Sequence, residues 1–325
     1  MIMDELAVIL QPAAQDMEAV DRQLREQLRS RIPAISELAT HIIESGGKRL
    51  RPTMVVLAAK ACGYSGTDHI NLAVIIEFVH TATLLHDDVV DESVKRRGRP
   101  TANTLWGNNL SVLVGDFLYS RAFEMMVEVG HMRVMELLAK ATNVIAEGEV
   151  QQSLNRGNPD IPESEYIQVI THKTARLFSA AAELGAVAAQ LGDDHRNSIS
   201  SYGLHLGIAY QLLDDLLDYR GEAALIGKNI GDDLAEGQPT LPLIRSLETG
   251  NADQRQQLRQ AITDPGSIPL ESVVEIIESG DAIAYTARRA QEHADLAKLA
   301  LAEFPETEAR ASMLKLADFA VSRAF

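Results

Sequence analysis

The sequence predicts an all-α protein folded as a single large helical bundle. Three observations carry this expectation. Apolar residues recur at helical period in almost every long segment. The strong helix formers Ala, Leu, Glu, Gln and Met are abundant, while the alternating Val, Ile and Thr runs that mark half-buried strands are missing. With 46% hydrophobic residues against 23% charged, the chain has ample apolar surface for a large core. No break is a flexible Ser/Gly-rich or Pro-rich linker, which predicts one domain over 1–325.

The elements follow from the breaks. Ile32-Pro33 opens a helix, since proline fits a first helical turn and restricts the residue before it. Gly46-Gly47 and the glycines at 63–66 bound the next segment. Asp68 is placed to cap a long apolar helix that runs into the acidic stretch at 87–92. The glycines of 98–107, Gly130 and the 157–162 stretch separate the following segments. The residues PESE at 162–165 put acids in the first turn of a helix expected over 166–190, where they complement the helix dipole. Breaks at 192–195, 221–239 and 264–269 divide the remainder, giving roughly ten or more helices.

Charge narrows the functional classes. A formal net charge of −16 opposes a polyanion, so no nucleic-acid partner is expected. The bases gather instead in two short runs, Lys48, Arg49 and Arg51, then Lys95, Arg96, Arg97 and Arg99, sized for small anions. Cys62 is the only cysteine, which excludes an intrachain disulfide and a multi-cysteine zinc site and suits a reducing cytoplasm. The opening MIMDELAVIL has acids where a signal peptide needs bases. The apolar stretch 70–85 is interrupted by Asn71, Glu77 and His80, so no transmembrane segment is expected.

One echo stands out. LLHDDVVDE at 84–92 recurs in outline as LLDDLLDY at 212–219. Asp87 and Asp91 are four residues apart and share a helix face, and Asp214, Asp215 and Asp218 repeat that spacing. Clustered carboxylates repel unless a cation lies among them, and oxygen-only ligands favour Mg²⁺, which completes its shell with water and phosphate oxygens. A phosphorylated ligand is therefore predicted, with Lys48, Arg51, Arg96 and Arg97 supplying fixed positive charge. Singly these features are bland. A lone DDxxD is more often a solvated helix face, KRLRP surface charge, His80 or His86 a core histidine, Lys173-Thr174 an exposed helix surface and Lys228 a loop charge.

Together, the segments SGGKRLRP, EFVHTATLLHDDVVDESVKRRG, SVLVGDFLYSRAF, NVIAEGEV, KTARLF, YQLLDDLLDY and GKNIGDDLAEGQPTLPL resemble the trans-isoprenyl diphosphate synthases. The resemblance is dense over 45–243 and rests elsewhere on helical character. It implies the isoprenoid synthase fold around a central prenyl-binding cavity, a homodimer, and Mg²⁺-dependent condensation of isopentenyl diphosphate with an allylic diphosphate. It further implies that Asp87, Asp91 and Asp214 hold Mg²⁺ against the allylic diphosphate, with Asp88, Asp215 and Asp218 supporting that shell. Arg96, Lys173 and Lys228 would contact the allylic diphosphate, and Lys48, Arg51, His80 and Arg97 that of isopentenyl diphosphate. Thr174 and Gln211 would set oxygen dipoles near the forming cation. One position departs from the pattern: where a second lysine commonly follows the second box, this chain has Gln238.

Ala82 and Thr83, one turn before the first box, are small where short-chain members of that family carry aromatics, so a long product is expected. Met126 and Leu138 are candidates for the floor of the tunnel, with ordinary core packing an equal alternative. A long polyprenyl product would be insoluble, so its release would involve a membrane surface or an accepting enzyme. Other readings stay open: a phosphohydrolase using His86-Asp87, a class I terpene cyclase, and a non-catalytic acidic partner subunit. The hydrolase leaves the second box idle, the cyclase has no use for GGKRLRP and Arg97, and a partner subunit needs neither charge set.

Overall fold

The computed structural model describes residues 2–45, 47–96, 98–220 and 231–322. Arg97 and Lys228 lie outside the described residues. The first half comprises α1 (Ile2–Leu10), α2 (Ala14–Gln27), α3 (Pro33–Glu44), α4 (Leu50–Ala61), α5 (Asp68–Val90), α6 (Ala102–Trp106) and α7 (Asn108–Val129). The second comprises α8 (Met132–Asn155), α9 (Glu163–Ile170), α10 (Arg176–Ala188), α11 (Asp193–Arg220), α12 (Asp232–Ala235), α13 (Leu241–Thr249), α14 (Ala252–Thr263), α15 (Leu270–Ser279), α16 (Ala282–Ala300) and α17 (Glu308–Ser322). The all-α expectation holds, with one addition: Lys95–Arg96 and Arg99–Pro100 pair as a two-residue antiparallel hairpin, Lys95 opposite Pro100. The chain groups into two compact units, one of Met1–Thr142, Leu177–Gly203 and Ala300–Leu316, the other of Asn143–Arg176, Leu204–Leu299 and Ala317–Phe325.

In the first unit α5 is the central helix. Every residue from Leu72 through Val79 is buried, so the helix is enclosed on all sides rather than along one stripe. The single acid in that run, Glu77, pairs with the Arg49 guanidinium. By length and composition α5 could cross a membrane, yet 67% of its apolar window is buried inside the protein, as in a core helix. Asp68 is not the cap that the sequence suggested. It is the first helical residue after Thr67, and its Oδ2 accepts from the Tyr64 hydroxyl at 2.9 Å.

The first unit also depends on a close helix approach. A Cβ at Gly185 of α10 would lie 2.5 Å from the Ala59 nitrogen and 2.6 Å from the Ala58 Cβ of α4, so only glycine permits this approach. In the second unit, one core gathers Tyr166, Ile170, Ile208, Leu212, Ile244 and Ala290. A second gathers Tyr219, Leu243, Leu258, Ile262, Val273 and Ile277.

Two sequence boundaries shift. The helix expected over 166–190 starts at Glu163, and one turn of π-helix, Thr171–Ala175, breaks it before α10 begins. The break expected at 192–195 ends sooner, because Asp193, Asp194 and His195 already belong to the first turn of α11.

Gly185→Ala is expected to destabilise the protein by about 1–3 kcal/mol through overpacking against α4. Gly192→Ala, which meets nothing within 4 Å, should change stability by less than about 0.5 kcal/mol. Urea midpoints of the two variants compare these outcomes directly.

Candidate active site

The first acidic box closes α5. Asp91 lies one residue past the helix but keeps its bond, with its N–H donating to the Asp87 carbonyl at 2.8 Å. The i and i+4 spacing therefore survives, and Asp87 and Asp91 are both half-buried. Asp88 points the other way and is fully buried. Its Oδ1 accepts from Arg96 Nε at 2.9 Å and Nη2 at 2.8 Å, and its carbonyl accepts from Asn103 Nδ2 at 3.0 Å. A buried carboxylate needs such a partner, and the pairing fastens the Lys95–Pro100 hairpin to the end of α5.

The basic run before α4 separates by role. Arg49 adopts a left-handed backbone (φ 48°) and turns inward, donating to Glu77 and, at 2.7 Å, to the Ile43 carbonyl. Lys48 and Arg51 are half-buried. Arg51 Nη1 lies 3.0 Å from His80 Nε2, and its guanidinium stacks 4.6 Å from the centre of the Phe178 ring. A guanidinium can only donate, so His80 Nε2 accepts here, and the contact together with the Phe178 ring orients the Arg51 fork for an anion. His86 lies 3.2 Å from the Val112 carbonyl through Nε2 and 3.5 Å from Asp116, on the side of α7. Ala82, Met126 and Leu138 are buried in the same unit, and Thr83 is half-buried with its hydroxyl donating to the His80 carbonyl at 2.7 Å.

In the second unit a pocket is lined by Lys173, Thr174, Gln211 and Asp215, all singled out from sequence, together with Gln152, Tyr166, Asp233 and Gln238. The π turn carries Lys173 and Thr174, and wide turns of this kind recur at functional sites. Gly148 of α8 allows the close approach: a Cβ there would lie 2.8 Å from His172 Cβ and 2.9 Å from the Lys173 nitrogen.

The polar groups of the pocket form chains. Thr174 Oγ1 donates to Gln211 Oε1 at 2.9 Å, Gln211 Nε2 donates to Asp215 Oδ1 at 2.7 Å, and the Tyr166 hydroxyl donates to Asp215 Oδ2 at 2.5 Å. Lys173 Nζ donates to Gln152 Oε1 at 2.6 Å and pairs with Glu149 at 2.7 Å. Asp214 is half-buried, while Asp215 and Asp218 are buried. Asp218 Oδ2 accepts from the Asp233 N–H at 3.2 Å.

Burial holds the Asp215 carboxyl well above the usual carboxylate range, and the neighbouring Asp233 charge pushes the same way. Burial also raises the Tyr166 and Tyr219 phenols, helped in Tyr166 by Asp215 and in Tyr219 by Asp233. A carboxylate whose acidic neighbours raise its pKa, as at Asp215, would be stabilised by a hard divalent cation, and every side-chain donor in the two boxes is oxygen. The residues therefore fit such an ion. Among the described residues no three His, Cys, Asp or Glu side chains form a complete cluster for a metal ion by themselves.

Sequence reasoning missed Glu149, Gln152, Tyr166 and Asp233. Glu149 and Asp233 lay inside quoted motifs, NVIAEGEV and GKNIGDDLAEGQPTLPL, but carried no spacing signal of their own. Gln238, flagged only as a departure, is buried and bonded to Gln152 and Glu236.

The comparisons agree with one another. Residues 32–278 match the family model described as Polyprenyl synthetase. The chain is 49% identical to octaprenyl diphosphate synthase of Escherichia coli (strain K12) over 311 residues, covering 95% of this chain and 96% of that protein. Its structure is similar to polyprenyl synthase from Caulobacter crescentus CB15 complexed with calcium and isoprenyl diphosphate, with a TM-score of 0.94, 44% identity, and 99% and 98% of the two chains covered. A decaprenyl diphosphate synthase from Rhodobacter capsulatus gives a TM-score of 0.92 at 45% identity, with 99% of each chain covered.

Tyr166→Phe is expected to destabilise the protein by about 1–3 kcal/mol, because it takes a donor from a buried carboxylate. Tyr285→Phe removes a similar bond, to Glu163, from a half-buried site and should cost less. Paired denaturant titrations measure the difference.

Proposed function

The chain belongs to the polyprenyl synthetase family, and from that premise we propose that it is a trans-prenyltransferase. It condenses isopentenyl diphosphate repeatedly with an allylic diphosphate, farnesyl diphosphate in our reading, to an octaprenyl diphosphate for quinone side chains. The observation that carries this reading is the shared division of the two boxes. In each, the leading aspartate, Asp87 or Asp214, is half-buried while the next, Asp88 or Asp215, is buried and hydrogen-bonded. This supports Asp87, Asp91 and Asp214 as ligands of Mg²⁺ and Asp88, Asp215 and Asp218 as the residues that hold them in place.

When bound, the divalent cation supplies charge stabilisation to the departing diphosphate. Lys173 and Arg96 add fixed positive charge for the allylic diphosphate, and we assign Lys228 the same role. Lys48, Arg51, His80 and Arg97 hold the diphosphate of isopentenyl diphosphate, so that its double bond lies against the allylic carbon as the bond to diphosphate breaks. Thr174 and Gln211 direct oxygen dipoles toward the allylic cation, and the apolar surroundings keep water from quenching it. The isopentenyl double bond attacks the allylic cation to form the new carbon–carbon bond, and loss of a proton from the resulting cation, to the released diphosphate, forms a new double bond.

We propose that both compact units act as one domain, 1–325, and that the enzyme works in the cytoplasm as a homodimer. Exposed Val112, Leu113, Phe123 and Val127 support the dimer, since they fall within about 100° of one face of α7. Product leaves to a membrane surface or an accepting enzyme. The position of His86 beside the Val112 carbonyl gives the hydrolase reading no support.

Incubation with Mg²⁺, isopentenyl diphosphate and farnesyl diphosphate, followed by mass spectrometry, should show a predominantly octaprenyl product that Asp87→Ala abolishes. No elongation from any allylic primer by folded protein would overturn the reading. Ala82→Phe should shorten the product sharply and Met126→Ala should lengthen it. An unchanged product distribution in both variants would remove the tunnel assignment.

A further inference from the structure

Resting on the assignment of Lys173 to the allylic diphosphate, we infer that Gln238 is a positioning residue that fixes the Lys173 ammonium through an amide relay with Gln152. Gln238 Nε2 donates to Glu236 Oε2 at 3.0 Å, Gln238 Oε1 accepts from Gln152 Nε2, and Gln152 Oε1 accepts from Lys173 Nζ at 2.6 Å. The ends of this relay determine its sense. An ionised carboxylate can only accept and an ammonium can only donate. If either amide turned over, two donors would meet at one contact and two acceptors at the next. Both glutamines are thereby held in one orientation, and Gln238 is buried, so water does not replace a lost partner.

Glu149 grips the ammonium as well, at 2.7 Å. A lysine at position 238, as the resembled pattern has it, has no acceptor for Gln152 and would leave the relay open. In this chain the side chain at 238 instead steadies a cation elsewhere on the pocket wall. The relay borders the same pocket as Thr174, Gln211 and Asp215, so a displaced Lys173 alters diphosphate recognition before it alters the core.

The test compares wild type with Gln238→Leu, Gln152→Leu, their double variant, and the exchange Gln238→Glu with Glu236→Gln. In the exchange the new carboxylate accepts from Gln152 and the new amide donates to it, so every donor still meets an acceptor. Initial rates are measured with each substrate varied in turn, melting temperatures accompany them, and calorimetry records inorganic diphosphate binding in the presence of Mg²⁺. Each Leu variant is expected to raise KM for farnesyl diphosphate and Kd for diphosphate about tenfold, on the order of the loss of one charged hydrogen bond. KM for isopentenyl diphosphate should stay within about twofold, since its assigned contacts lie elsewhere. The double variant should be no worse than either single one, as expected of residues in one chain, and the exchange should recover both constants.

Additive losses, equal rises in both KM values, or an exchange variant that folds but recovers nothing would overturn the relay. If a Leu variant does not fold, the exchange set against Gln238→Glu alone decides the question. Elongation by wild type tests the functional reading separately, because diphosphate affinity judges the relay whether or not product forms.

Discussion

The constraint on which the charged regions of this protein depend is the free energy of burying an acid. A carboxylate removed from water is tolerated only with donors or opposite charge at hand. Each buried acid here has its own answer. Glu77 takes Arg49, Asp88 takes Arg96, and Glu183 takes Arg133 at 2.9 Å. These pairings tie the chain before α4, the Lys95–Pro100 hairpin and the start of α8 to their neighbours in the first unit. Asp215 is answered differently, by neutral donors from Tyr166 and Gln211, with the Asp233 charge still close. Asp215 thus sits in unspent negative potential. That is the condition in which a divalent cation gains most by arriving.

Much of this was legible in the sequence because it depends on short-range spacing. Helical period gave the fold class, glycine and proline gave most boundaries, and i and i+4 spacing gave the shared face of Asp87 and Asp91, which survives even though Asp91 lies just past the helix. Features set by distant partners were not legible. Nothing local distinguishes Tyr166 from an ordinary core tyrosine, and its partner Asp215 lies 49 residues away. The π turn at 171–175 packs against Gly148 of another helix, a contact that residues 166–190 alone do not reveal, so they read as one straight helix. Arg49 and Arg51 are near neighbours in one basic run, yet the left-handed backbone at Arg49 sends one to Glu77 and leaves the other beside His80.

Product length is governed by a different kind of energy. The tail grows by identical five-carbon units, and each buried methylene adds about 0.8 kcal/mol of favourable transfer, so affinity rises with length and supplies no stopping point. A stop must come from repulsion, which is steep where packing is already dense. Relatives at 49% and 45% identity are named for eight-unit and ten-unit products, as expected when a few side chains set the limit and the rest of the fold is indifferent to it. In the proposed tunnel Ala82 would offer little obstruction near the reacting end, and the limit would rest on Met126 and Leu138. A methionine yields through its rotatable bonds more readily than a branched leucine does. A floor that includes Met126 therefore gives under pressure and permits a spread of lengths, whereas a stop made by Leu138 alone gives a sharper one.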